Sequence, residues 1–395
     1  MEITKIRRLG LAALLLAAAL TACGPAQGPA ASAPGPAAGQ SAAPSPAATP
    51  TPEPTPTPTP TAEERARAIL DGMTLEEKVG QLFVARCPDA AAAELAAEYH
   101  LGGYILFGRD FRDRTAEQVA AAIQSYQDAA EIPLFIGVDE EGGTVVRVSA
   151  NPALRESPFR SPQELYCEGG YDRIRADAEE KCALLRSLGI NVNFAPVCDV
   201  STDPEDFMYQ RAFGQDAQAT AQYAETVVSV MEEAGMGSVL KHFPGYGDNA
   251  DTHTGIAYDD RPLERFEASD LLPFEAGIAA GADMVLVSHN IVSCMDPDYP
   301  ASLSPEVHRV LREELGFDGV VITDDLVMDG IRHFTGDEEA AVLAVQAGND
   351  LLCCTDFETQ IPAVLEAVRD GIISEARIDQ SVRRVLELKM ELGLL

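Results

Sequence analysis

The chain is 395 residues long, 46% of them hydrophobic, with 63 acidic against 29 basic side chains and a formal net charge of −34 at pH 7. A surface this acidic repels nucleic acid and anionic lipid headgroups, which excludes both as partners. The length and apolar content suffice for a large core, to which nothing before Glu63 contributes.

Lys5, Arg7 and Arg8 precede an apolar run from Leu9 to Leu20, closed by Leu20-Thr21-Ala22-Cys23. A basic start and a short apolar run make residues 1–23 an export signal, since a membrane span needs about 20 apolar residues. Leu-Thr-Ala-Cys resembles the bacterial lipobox, which implies cleavage before Cys23 and attachment of lipid to its thiol. Residues 24–62 are almost only Pro, Ala, Thr, Ser and Gly, with Glu53 as the single charge. That composition builds no core and favours extended polyproline II at about 3.1 Å per residue, so it reads as a disordered spacer. The expected address is exported and lipid-anchored to the outer face of the cell membrane.

After Thr74, short apolar runs alternate with longer helix-like stretches. Eight runs, at residues 81–85, 104–107, 134–138, 191–195, 238–240, 284–288, 320–323 and 350–353, predict strands. Residues 115–130 and 173–188 carry helical periodicity, and Thr74-Leu75-Glu76-Glu77 offers a capping box. The alternation predicts an α/β fold, a (β/α)8 TIM-type barrel forming a single catalytic domain over residues 63–395. Seven cysteines besides Cys23 show no framework spacing and are expected to be mostly reduced core residues. Adjacent Cys353 and Cys354 point to opposite faces of a strand, which excludes a disulfide between them.

Polar chemistry falls at the ends of the runs, where such a barrel builds its site. The third run leads into Asp139-Glu140-Glu141-Gly142-Gly143 and Arg147, the fourth into Asp199 and Arg211, the sixth into His289-Asn290, and the seventh into Asp324-Asp325. The fifth leads into the densest stretch, residues 241–255, KHFPGYGDNADTHTG, with Lys241 and His242 expected where the strand runs out. There Asp251 is spaced to orient and charge-balance His253 for proton transfer. A metal site on His242, Asp248, Asp251 and His253 is a rival reading, against which no HxxxH or HxH spacing is present; a purely structural polar loop is another. Taken singly, Glu140 and Glu141 also read as a solvated edge, Arg211 as a surface ion pair and His289 as a satisfied polar residue. Their common position reads as a site.

Together with GVDEEGGTVVR (residues 137–147), NFAPVCDV (193–200), QRAFG (210–214) and VITDDLVMDG (321–330), the 241–255 stretch resembles glycoside hydrolase family 3, above all its bacterial β-N-acetylglucosaminidase branch. The resemblance implies Asp324 as nucleophile and Asp325 as its structural neighbour. It implies an Asp251-His253 acid/base dyad, and Asp139, Arg211, Lys241 and His242, with Arg147 as a weaker candidate, on the sugar hydroxyls. Three residues depart from the branch: Tyr246 stands where His is common, Thr252 where Ser is, and Gln210 where Asn is.

The expected reaction is therefore retaining hydrolysis of terminal non-reducing β-linked N-acetylglucosamine, with peptidoglycan fragments as substrate, no cofactor, no metal, and a monomer as the working unit. The rivals are a β-glucosidase or β-xylosidase on the same scaffold, a non-catalytic sugar-binding surface lipoprotein, and transfer to phosphate in place of water.

Overall fold

Eight short buried strands organise the chain. They are β1 (Phe83–Arg86), β2 (Gly103–Leu106), β3 (Phe135–Val138), β4 (Val192–Asn193), β5 (Gly237–Phe243), β6 (Met284–Val287), β7 (Val320–Thr323) and β8 (Leu352–Cys354). The computed structural model describes residues 61–247, 255–335 and 340–395. All strand pairs are parallel, in the order β8-β1-β2-β3-β4-β5-β6-β7. A parallel bridge between Ile322 and Leu351 brings β7 back to β8 and closes the barrel. Parallel neighbours need crossover connections, and helices such as Ala116–Ala129, Pro162–Ser187 and Ala217–Ala234 supply them. The cavity described below opens at the strands' C-terminal ends.

The predicted runs match these strands to within about two residues at most ends, and three of them differ in ways that bear on the site. The first strand starts at Phe83, because the Thr74–Glu77 capping box launches a helix that runs through Gln81. The fourth shrinks to two residues: beyond it comes Pro196, which has no N–H to give to a ladder. The fifth is longer than expected, so Lys241 and His242 lie inside β5 and not beyond its end. Upstream, helix Ala62–Leu70 is capped by Thr61, whose hydroxyl accepts from the Glu64 amide at 3.1 Å.

Inside the barrel, Val84, Ile105, Phe135, Val239, Met284 and Ile322 form one apolar cluster. Val385 and Leu388 of the C-terminal helix Glu375–Glu391 join it. Next to them Lys389, fully buried, donates to Gln81 Oε1 at 2.7 Å just ahead of β1, so this helix closes the end where the strands begin. The ammonium lies 5.0 Å from the Phe135 ring centroid. All seven cysteines of the described residues are free, and five of them are buried.

Burial pushes Lys389 down to about 7 from the ordinary lysine value. Between that value and the unfolded one, the unfolded chain binds a proton that the native chain does not, so native stability rises with pH. Wild type is expected to gain about 1 kcal/mol per pH unit relative to Lys389→Met between roughly pH 7 and 10, read from urea unfolding of both at each pH.

Candidate active site

The site grows from a slip in β5. Val239 and Leu240 pair with Met284 and Val285, but Phe243 pairs with Val287, so β5 carries one extra residue across that interval. Such a bulge re-aims side chains, and here the consecutive Lys241 and His242 both line the same cavity. Alternation along a regular strand would have sent them to opposite faces.

Glu141 joins the groups around them. Its Oε1 lies 2.6 Å from Lys241 Nζ and 2.7 Å from Arg211 Nη2, and its Oε2 accepts from Arg211 Nε at 3.0 Å. Lys241 Nζ also donates to Asp139 Oδ1 at 2.7 Å. Burial by itself would raise Glu141, but the two cations outweigh it and hold the carboxyl well below the ordinary glutamate range. Burial would lower Lys241, yet Asp139 and Glu141 leave it above the ordinary lysine value.

His242 is fixed from both sides. Its Nδ1 lies 2.7 Å from Asp199 Oδ2 and its Nε2 lies 3.2 Å from Arg211 Nη2. A guanidinium has no lone pair to offer, so Nε2 is the acceptor and Nδ1 carries the proton towards Asp199. The Asp199 carboxylate also receives the Tyr246 amide at 2.8 Å. Both nitrogens of His242 are thereby committed to protein groups, and the ring orients Arg211. Tyr246 is buried and leans edge-on against His242 with ring centroids 5.5 Å apart.

The approach to the site is braced from β3. Buried Glu140 accepts from the Arg147 and Val148 amides at 2.8 and 2.7 Å and also holds Ser149, tying down the turn after the strand. Gly142 has φ +100°, and a Cβ there would meet the Arg160 carbonyl oxygen at 2.3 Å, so only glycine fits. Glu140 and Glu141 are therefore interior groups with different tasks, and the solvated-edge alternative is overturned by their burial.

Opposite lies the tip of β7. Asp324 follows the strand directly, donates its amide to the Val287 carbonyl at 3.1 Å, and accepts the Asp325 amide on Oδ1 at 2.8 Å. Asp325 instead accepts from the Val327 and Thr355 amides at 3.2 and 3.1 Å, and burial pushes its carboxyl above the ordinary aspartate value. Buried His289 supports this tip through Ser302 and the Asp325 carbonyl oxygen. Asp139, Arg147, Arg211, Lys241, His242 and Asp324 all line one cavity of about 440 Å³.

Asp248, Asp251, His253 and the lipidation residue Cys23 lie outside the described residues. Among the described residues no group of three His, Cys, Asp or Glu side chains is arranged to hold a metal ion. The sequence reading missed Glu141 as the joint of the cluster, although its i, i+2 relation to Asp139 was a signal. It also missed Arg86, a charge closing an apolar strand, and Phe107, both of which line the cavity.

Residues 74–388 match the family model described as glycosyl hydrolase family 3 N terminal domain. The chain belongs to glycosyl hydrolase family 3. As a member it is a glycosidase. The beta-hexosaminidase LpqI of Mycobacterium tuberculosis is 35% identical to this family 3 chain over 331 residues, 79% of the chain and 82% of that protein. A beta-hexosaminidase of Xanthomonas campestris pv. campestris (strain B100) is 39% identical over 232 residues, 58% of the chain and 69% of that protein. Among solved structures, a glycoside hydrolase family 3 beta-N-acetylglucosaminidase from Paenibacillus sp. str. FPU-7 is similar with a TM-score of 0.76 at 37% identity. That likeness covers 82% of this chain and 63% of the Paenibacillus chain, so the present chain spans less than two thirds of it.

Replacing Glu141 by Gln leaves Lys241 and Arg211 buried without their shared countercharge. The expected cost is about 3 to 5 kcal/mol of unfolding free energy at pH 7, measured by urea denaturation. Because the Glu141 carboxyl is depressed in the folded state, its contribution is full above the ordinary glutamate value and drains as pH falls below it. The gap between wild type and Glu141→Gln should accordingly narrow only in acid.

Proposed function

We propose that this chain is a retaining β-N-acetylglucosaminidase that removes terminal non-reducing N-acetylglucosamine from β-linked saccharides. The observation carrying the reading is that Asp324 faces the same cavity as the Asp139–Lys241–Glu141–Arg211 cluster. One wall offers a carboxylate nucleophile and the other offers charged donors and acceptors for ring hydroxyls. The similarity to beta-hexosaminidases supports a hexosamine as the sugar.

In the first step an Asp324 oxygen attacks the anomeric carbon as the bond to the leaving oxygen breaks, and His253, oriented by Asp251, gives that oxygen its proton. In the second step His253 takes a proton from water, whose oxygen attacks the same carbon and releases Asp324. Two displacements retain the anomeric configuration. Asp139, Arg211 and Lys241 hold the sugar through charge-assisted hydrogen bonds, with Arg147 on the adjoining wall. His242 keeps Arg211 aimed and Asp325 keeps the β7 tip in place. The reaction as written needs no metal or organic cofactor.

Peptidoglycan fragments are the proposed source of substrate. A lipid on Cys23 and a Pro-rich spacer over residues 24–62 would hold a barrel spanning residues 63–395 among wall polymers outside the cell membrane, working as a monomer.

The test is hydrolysis of 4-nitrophenyl β-N-acetylglucosaminide by the purified full-length chain, beside Asp324→Asn, His253→Ala and the glucose analogue. Asp324→Asn is expected to fall to background and His253→Ala to lose about 10²- to 10⁴-fold in kcat, the range for positioned proton transfer. Turnover of the glucoside alone would replace the substrate assigned here.

A further inference from the structure

Beyond β5 the chain runs out through Pro244, Gly245, Tyr246 and Gly247, and it comes back as the two-residue strand Tyr258–Asp259, paired in parallel with Ile291–Val292 after β6. Between these two stems the sequence carries Asp251 and His253. Both stems rest on one side chain, that of Arg261. Its Nε donates to Asp259 Oδ1 and Oδ2 at 3.0 Å each, and its Nη2 donates to Asp259 Oδ2 at 2.7 Å. From its other edge, Nη1 donates to Asp270 Oδ1 and Oδ2 at 2.9 and 3.1 Å. The Gly245 carbonyl oxygen lies 3.5 Å from Nη2, and the Phe266 ring centroid lies 4.4 Å from Cζ.

The outgoing stem is fitted to this cluster without slack. A Cβ on Gly247 would lie 2.4 Å from Arg261 Cζ, and one on Gly245 would lie 2.9 Å from Asp270 Oδ1. Neither side chain can swing aside, because the guanidinium is forked between two carboxylates that are themselves buried. Tyr246, between the two glycines, gives its amide to Asp199, which ties the stem to the support of His242 as well. On the returning stem, the Ala257 carbonyl receives the Ile291 amide at 2.8 Å and the Asp259 carbonyl receives the Ser293 amide at 2.9 Å. A buried ion cluster is often no more stabilising than apolar packing of the same volume. What this one supplies is geometry: it fixes where one stretch of chain enters and where it leaves.

We propose that Arg261, braced by Asp259 and Asp270, is a positioning residue for the acid/base step, locking the two stems to one another and thereby aiming His253 at the leaving oxygen. This rests on the glycosidase reading above and adds to it a group that does not line the cavity. Proton transfer tolerates little error in distance, and fixing both ends of a short stretch removes much of the freedom that would blur it.

The test compares kcat/KM of the full-length chain for 2,4-dinitrophenyl and phenyl β-N-acetylglucosaminide, in wild type, Arg261→Met, Arg261→Lys, Gly247→Ala and His253→Ala. Dinitrophenolate leaves with little help from an acid, whereas phenolate needs its proton. Partial loss of folded protein lowers both values alike and leaves their ratio untouched. Gly247→Ala keeps every charge of the cluster and presses the stem away from it, so the comparison survives an Arg261→Met that fails to fold. Hydrogen exchange of the peptides over residues 243–247 and 255–259 reads the lock without turnover.

The phenyl-to-dinitrophenyl ratio is expected to fall at least about tenfold in Arg261→Met and Gly247→Ala, a part of the about 10²- to 10⁴-fold that positioned proton transfer supplies. It is expected to recover in part in Arg261→Lys and to fall furthest in His253→Ala, and exchange of both stems is expected to speed up in Arg261→Met. Equal losses on both substrates in the Arg261 and Gly247 variants, beside a ratio that falls in His253→Ala, overturn the positioning role and leave the glycosidase reading standing. Unchanged exchange does the same. If the ratio holds in His253→Ala, the stretch supplies no acid, and the positioning role falls with the dyad. If wild type turns over neither substrate, the glycosidase reading itself fails and the positioning role with it.

Discussion

The site depends on one buried carboxylate. Glu141 bridges a lysine on β5 and an arginine from the segment after β4, and so ties the tips of β3, β4 and β5 into one unit. Without it Arg211 would lose its carboxylate and Lys241 one of its two, leaving much of their desolvation uncompensated. The groups offered to a sugar, Asp139, Arg211 and Lys241, are aimed by their bonds to Glu141 or to one another. Preorganisation here comes from ion pairing around a buried carboxylate.

The same logic runs outward in a second layer. Asp199 sets the tautomer of His242, His242 fixes Arg211, and Tyr246 packs behind the imidazole. Across the cavity, Thr355 and His289 steady Asp325, and Asp325 in turn gives its amide to Asp324. The β1–β3 side follows another rule, with cations resting on an aromatic ring and making no ion pair with any of the described residues.

The barrel itself was legible in the sequence. Eight apolar runs alternating with helical periodicity admit few other arrangements, and the strand-end positions of Asp139 and Asp324 followed from it. Legibility failed where one residue's neighbours decide its meaning. Glu140 and Glu141 are chemically identical and adjacent, yet one caps a turn through backbone amides and the other anchors two cations. Nothing in the local sequence separates those tasks, because the partners lie in segments far along the chain.

What the sequence determined by itself was the strand count, the parallel order that short apolar runs with helical connections impose, and the set of ionisable groups at one rim. What only the tertiary structure decided was which of them meet. The β5 bulge turned Lys241 and His242 onto the same side, and barrel closure laid Arg86 and Arg147 against a single phenylalanine. Pairing of charges is a matter of distance in space, and in a closed barrel the nearest partners come from neighbouring strand ends tens of residues apart in the chain.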